Sequence, residues 1–364
     1  MIKPIVLITG ASGFIGSAIC LDLDQDFQVI AIDRREPSEK LLKAAPKAIW
    51  HKLDIADKPA LSQVFSQTKS DFGRIDFIIH LAAYYDFDND WVEEYQITNV
   101  DGTANVLDMS KKTGVKRFIF ASSIGAMEPP ARGSFLTEES PISEFIPYAR
   151  SKFIGEKLVR EAADQLPCLI LRIAGVFSDW CELPPLHSLI NIWTSGFPKG
   201  RLIPGRGGSG IPYIHITDLI RVFRKCILLH KEIGPFHIFL ASQQGAVLHR
   251  QLYPAIRSAA GLPGNPRPIH LSKKIARIGL WFQSAIGTLS GYMPFERPWM
   301  LDYIDESWTI DTSKTRRILD WDCTPELDIL RRIKVILNKR RKSPQGWDER
   351  NISRNERRYI YKGN

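Results

Sequence analysis

Tyr148-Ala149-Arg150-Ser151-Lys152 sets a phenol and an ammonium four residues apart, on one face of any helix that carries them. A phenol is a poor base near neutrality, with an unperturbed pKa of about 10, but a nearby ammonium stabilises the phenolate. Tyr148 is therefore a candidate proton shuttle and Lys152 the residue that tunes it. Ser123 closes the apolar run Phe118-Ile119-Phe120-Ala121, where a hydroxyl can bond a substrate oxygen as charge develops on it. A lone Tyr-x-x-x-Lys is common in soluble helices, so its meaning depends on what stands upstream.

Upstream, the apolar run Pro4-Ile5-Val6-Leu7-Ile8 feeds into Thr9-Gly10-Ala11-Ser12-Gly13-Phe14-Ile15-Gly16. Gly10 lets the chain turn off a buried strand, Gly13 lets backbone N–H groups approach a pyrophosphate, and Gly16 lets the following helix pack on the sheet. Gly10, Gly13, Phe14, Ile15 and Gly16 then cradle an anion at a helix N-terminus. A second run, Gln28-Val29-Ile30-Ala31-Ile32, ends at Asp33, where a carboxylate meets the ribose hydroxyls of a dinucleotide. An anion there favours NAD, whereas Arg34 and Arg35 just beyond it keep NADP open. Lys152 would hold the nicotinamide ribose as well as tune Tyr148.

These residues need a scaffold that gathers them. Ala48–Lys52, Ile75–His80, Arg117–Ala121 and Cys168–Arg172 are short apolar runs separated by longer amphipathic stretches, an alternation that predicts a doubly wound parallel α/β sheet. Its carboxyl edge collects the glycine turn, Asp33, His80 and Ser123. Beyond about residue 175 the alternation gives way to Pro184-Pro185, Gly196, Pro198 and the loose stretch from Pro204 to Gly210, which predicts a smaller substrate lobe. The expected division is a Rossmann-type domain over 1–175, with later strands returning to it, a lobe over 176–330, and a basic tail over 331–364. Residues 268–308 are rich in Trp, Phe, Tyr and Met. They read as a helix on the core, or as the apolar wall of a pocket or a shallow membrane contact.

Together these motifs resemble the extended short-chain dehydrogenase/reductase family over residues 3–330. His80-Leu81-Ala82-Ala83 is similar to the family's cofactor-lining segment, Asp54-Ile55 to its adenine-contacting pair, and Asn99-Val100-Asp101-Gly102-Thr103 to its central-helix asparagine motif. Pro212–Leu219 and Asp311-Thr312-Ser313-Lys314 resemble later landmarks. The resemblance implies a dinucleotide contacted by Asp54, Ile55, Leu81, Ala82, Ala83, Asn99, Tyr148 and Lys152, a Ser123-Tyr148-Lys152 triad, and a homodimer. Asn99 also reads as structural support, His80 as a hydrogen-bonded core histidine, His215 and Asp218 as scaffold, and Cys181 as packed.

Departures from the family pattern bear on the substrate. Ile124-Gly125 follows Ser123 where dehydratases carry an Asp-Glu pair. Ile211 stands where nucleotide-sugar epimerases place a diphosphate-binding arginine, a role that Arg201, Arg206 or Arg297 could take instead. Arg172-Ile173-Ala174-Gly175-Val176-Phe177-Ser178 departs from the segment usual beside nicotinamide. The leading expectation is hydride transfer between NAD(P) and an apolar secondary alcohol or ketone. A nucleotide-sugar epimerase working through a transient keto intermediate is the alternative, and a non-catalytic NAD-binding scaffold or sensor the third reading.

Composition bounds the rest. The chain has 364 residues, 44% of them hydrophobic, enough for one large core with a lobe. It shows neither a basic-then-apolar leader nor a run approaching the ~20 apolar residues of a membrane span, and its five scattered cysteines suggest no disulfide framework and no metal site. A cytoplasmic protein is expected. The net charge of +9 is local: residues 331–364 carry 12 Lys and Arg against 3 Asp and Glu, which leaves 37 of each sign before them. That pattern argues against nucleic acid as a partner. It reads first as a solvated end, and second as a contact with an anionic membrane or another acidic partner.

Overall fold

The computed structural model describes residues 3–86, 88–131, 133–262, 267–290 and 295–356; for 282–290 and 352–356 it describes the backbone only. Seven strands form one parallel sheet: β1 (Ile5–Thr9), β2 (Gln28–Asp33), β3 (Ile49–Lys52), β4 (Phe77–His80), β5 (Arg117–Ser123), β6 (Cys168–Ile173) and β7 (Phe236–Ala241). Their order is β7-β6-β5-β4-β1-β2-β3, with the winding direction reversing at β1 and β4. The apolar runs become strands because helices cover both faces of the sheet. All five β1 residues and all six β6 residues are buried, as parallel strands require.

The helices are α1 (Phe14–Leu23), α2 (Glu39–Ala44), α3 (Lys58–Phe72), α4 (Thr103–Thr113), α5 (Pro147–Ala162), α6 (Pro184–Trp193), α7 (Ile216–Leu228), α8 (His249–Ala259), α9 (Lys273–Ser290), α10 (Ser313–Leu319), α11 (Ile329–Lys342) and α12 (Pro344–Glu356). Local chemistry sets their ends. Asp57 caps α3 by accepting from the Ala60 N–H, Gly73 ends it in the left-handed region at φ 76°, and Pro147 opens α5 at its first turn. A π-helical turn, Tyr95–Gly102, leads into α4.

One apolar core lies on each face of the sheet. A third belongs to the lobe, where Leu186, Ile190 and Trp193 of α6 and Leu252 and Ile256 of α8 meet Ile329, Ile333, Ile336 and Leu337 of α11 and Trp347 of α12. The expected solvated tail is therefore helical as far as residue 356 and packed against the lobe through Trp347. Its apolar residues at i, i+4, i+7 and i+8 form a stripe that fills the lobe, and burying such a stripe outweighs the solubility of the intervening cations.

Candidate active site

The glycine turn has the tight geometry its sequence implies. Gly10 has φ +73° at the end of β1, and a Cβ there would lie 2.8 Å from the Ala82 nitrogen beyond β4. A Cβ on Gly16 would lie 2.2 Å from the Gly10 carbonyl oxygen, so α1 can pack this closely only with glycine at that place. Gly13 caps α1 without any side-chain bond, leaving the helix's first N–H groups directed at the crevice.

Asp33, at the carboxyl end of β2, accepts from the Ser12 N–H at 3.0 Å and from the Arg35 N–H at 2.9 Å; Arg35 Nε lies 3.3 Å away. One carboxylate thus binds the glycine loop to the end of β2 and faces the same crevice. Asp54 bonds the Ala56 N–H at 2.9 Å. His80 is buried, with Nδ1 2.7 Å from the Thr9 hydroxyl and Nε2 2.9 Å from that of Thr103; burial, then the Lys152 charge, pushes its pKa down to about 3. It is a neutral strut between β1, β4 and α4.

Tyr148 and Lys152 lie on the first turns of α5. A Cβ on Gly155 would stand 2.6 Å from the Phe120 ring, so the absence of a side chain there lets α5 settle on β5. That approach buries Lys152, whose Nζ donates to the Ala121 carbonyl at 2.9 Å and lies 5.1 Å from the Phe120 ring centre and 5.9 Å from that of Tyr148. The Tyr85 ring meets Tyr148 edge to face at 4.6 Å. Ser123 Oγ accepts the Gly125 N–H at 3.1 Å, leaving its own hydrogen available to a substrate oxygen.

A single cavity of about 1790 Å³ runs from the glycine turn past β5 into the lobe. Gly10, Gly13, Phe14, Ile15, Gly16, Asp33, Arg34, Asp54, Ile55, Leu81, Ala82, Ala83, Ser123, Tyr148 and Lys152 all line it. Asn99 is not among the residues that line it. Its amide accepts from the Tyr84 N–H at 2.6 Å and donates to the Tyr84 carbonyl and to Ser151 Oγ, both at 2.9 Å, while Ser151 donates to the Tyr148 carbonyl at 2.8 Å. Asn99 therefore fixes the backbone that carries the tyrosine. Cys181 is fully buried, with its thiol pKa pushed up by burial, and His215 caps α7 by accepting from the Thr217 N–H.

The lobe half of the cavity is walled by Leu189, Ile192, Trp193, Trp299, Tyr303 and Trp308, among others. Its only arginine among the described residues is Arg350, 2.7 Å from Glu182 and 5.2 Å from the Trp180 ring centre. Arg201, Arg206 and Arg297 lie elsewhere: Arg201 donates to the Arg267 carbonyl, the Arg206 N–H bonds Asp305, and Arg297 pairs with Asp88 at 2.8 Å. Arg350 and Asn351 bring α12 to the cavity, a placement whose only sequence signal is the Ile329, Ile333, Ile336, Leu337 periodicity of the packed segment before it. No group of three or more metal-ligating side chains occurs among the described residues.

A parallel sheet with a glycine turn at its switch point and a carboxylate at the end of the second strand defines a Rossmann-type, dinucleotide-binding class of protein. The chain belongs to the NAD dependent epimerase/dehydratase family, whose sequence model matches residues 6–241. It is 31% identical over 245 residues to UDP-glucose 4-epimerase 2 of Oryza sativa subsp. japonica, a match covering 59% of each chain. Among solved structures it is similar to UDP-glucose 4-epimerase of Thermotoga maritima with UDP-glucose, at 21% identity and TM-score 0.69 over 94% of this chain and 100% of that one. It is likewise similar to Bordetella bronchiseptica WbmG in complex with NAD, at 20% identity and TM-score 0.69 over 93% and 94% of the two chains. At these identities the structures speak for the fold.

Proposed function

We propose that the chain is an NAD-dependent oxidoreductase that interconverts an apolar secondary alcohol and its ketone. The observation that carries the reading is the cavity itself: a phenol, an ammonium and a serine hydroxyl open onto a space whose lobe half is walled mainly by aromatic and aliphatic side chains, with Glu182, Lys199, Glu296 and Glu306 also lining it, and whose one lobe arginine among the described residues, Arg350, is paired with Glu182. The glycine turn, the uncapped start of α1 and Asp33 suit NAD, with the pyrophosphate on the α1 N–H groups and the adenosine ribose on Asp33. When bound, the nicotinamide supplies the two-electron acceptor or donor.

Tyr148 exchanges the hydroxyl proton of the substrate. Ser123, its Oγ already accepting from Gly125, donates to the same substrate oxygen and steadies developing charge. Lys152 holds positive charge beside the phenol and keeps N–H groups for the nicotinamide ribose beyond the one spent on Ala121. The apolar lobe excludes water from the reacting carbon.

Nucleotide-sugar epimerisation is the second reading, favoured by the Oryza relative's name. An apolar alcohol and ketone panel with NAD and NADH tests both. Net NADH formation or consumption, lost by about 10²–10⁴-fold in Tyr148→Phe, is the expected result. UDP-sugar interconversion without net redox would replace the first reading with the second, and unchanged turnover in Tyr148→Phe would remove the triad.

A further inference from the structure

We infer that the chain docks on an anionic lipid surface through the outer face of α9. One side of this helix, through Ala276, Gly279 and Leu280, lines the cavity. Its other side carries Ile275, Ile278 and Trp281, which are 57%, 59% and 66% exposed. Helical geometry sets Lys274 between Trp281 and Ile278, and Arg277 on the far side of Trp281. Ile275 belongs to both faces, so the exposed stripe runs directly into the cavity wall.

The same margin continues beyond the helix. The short strands Leu202–Pro204 and Ile269–Leu271 pair in parallel and end where α9 begins. At their starts Arg201 donates to the Arg267 carbonyl and lies 5.9 Å from the ring centre of Phe197, which is 78% exposed. Aromatic and aliphatic side chains interleaved with Lys and Arg are the composition of a helix lying in the headgroup region: the apolar groups enter the acyl boundary and the cations meet lipid phosphates. Asp302 pairs with Lys273 at 3.0 Å and with Arg277 at 3.6 Å, whereas Lys274 has no acidic partner among the ion pairs of the described residues.

An anionic bilayer fits better than a second copy, since a two-fold contact would press these cations against their own images. The basic C-terminal segment is the weaker candidate for such docking. Arg332 and Lys339 face Asp179, and Arg340 donates to the Thr194 hydroxyl. Docking through α9 sets one wall of the cavity against the acyl layer.

Vesicle flotation of the full chain tests this independently of turnover. The chain should float with phosphatidylcholine vesicles containing phosphatidylglycerol, less with phosphatidylcholine alone, and less at high salt. The double variant I278E/W281E, with unchanged circular dichroism and thermal midpoint, should bind about tenfold more weakly, and K274E should lose the preference for phosphatidylglycerol. Flotation of the double variant equal to that of the unmodified chain, or no flotation of either, overturns the inference. So does a dimer of the unmodified chain that the double variant abolishes, which would assign the face to a second copy.

Discussion

Lys152 Nζ stands 2.9 Å from the carbonyl oxygen of Ala121, so the ammonium that serves α5 is anchored on the strand that ends at Ser123. Burial pushes its pKa from 10.5 down to about 8, with the Glu156 charge opposing. Below about 8 the ammonium is charged; above it the charge beside Tyr148 disappears, and kcat/KM for alcohol oxidation should fall along a basic limb near that value. Stability moves the other way. Between about 8 and 10.5 the unfolded chain holds this proton and the folded one does not, so the contribution of this group to stability rises with pH there. Lys152→Arg should carry the basic limb to higher pH, and a limb unmoved by that change would assign it to another group.

Glu156 grips Arg172 with two bonds of 2.9 Å, both side chains almost fully buried, and so ties the helix of the candidate site to β6. Glu156→Gln strands the guanidinium, whose remaining bonds reach the Glu138 and Ser140 carbonyls. The expected loss is about 3–5 kcal/mol by urea denaturation. The same change removes the anion that supports the Lys152 charge, so the basic limb should also move to lower pH. Loss of stability with an unmoved limb would separate the two roles.

The edge of the sheet was legible because strand, glycine turn and carboxylate follow one another within thirty residues, where local rules govern. Asn99 was ambiguous because its partners, Tyr84 and Ser151, are 15 and 52 residues away, and sequence spacing does not state which way an amide faces. Charge alone conceals the packing of the C-terminal segment: its cations outnumber its apolar residues, yet Ile329, Ile333, Ile336 and Leu337 align once the segment is wound into a helix against α8. Arg350 reaches the cavity through that packing, a long-range contact that no local motif encodes.

On the proposed reading, Asp33 should set cofactor choice through charge. Its oxygens hold the Ser12 and Arg35 N–H groups and face the adenosine end of the crevice, where a 2′-phosphate would meet a carboxylate. Asp33→Asn keeps an acceptor and removes the charge, leaving Arg34 and Arg35 to face the phosphate. The ratio of NADP to NAD affinity should rise by about tenfold to a hundredfold, the worth of one charge-assisted contact at ~1.5–3 kcal/mol. Tryptophan quenching titrations with each dinucleotide measure it, and an unchanged ratio would place selectivity elsewhere.

Gly16→Ala isolates the packing of α1 from its charge. The added methyl would lie 2.2 Å from the Gly10 carbonyl oxygen and 2.8 Å from Ala11 Cα, backbone atoms that cannot swing aside, so the N-terminus of α1 must back away from the crevice. Overpacking of this kind costs about 1–3 kcal/mol of stability. The loss in dinucleotide affinity should be larger than the stability change alone explains, because each N–H of the first turn retreats together from the pyrophosphate position. Gly196→Ala is the control, since nothing lies within 4 Å of its Cβ position, and it should leave melting temperature and dinucleotide affinity unchanged. Equal dinucleotide affinity in Gly16→Ala and in the unmodified chain would mean that the ligand does not sit on α1.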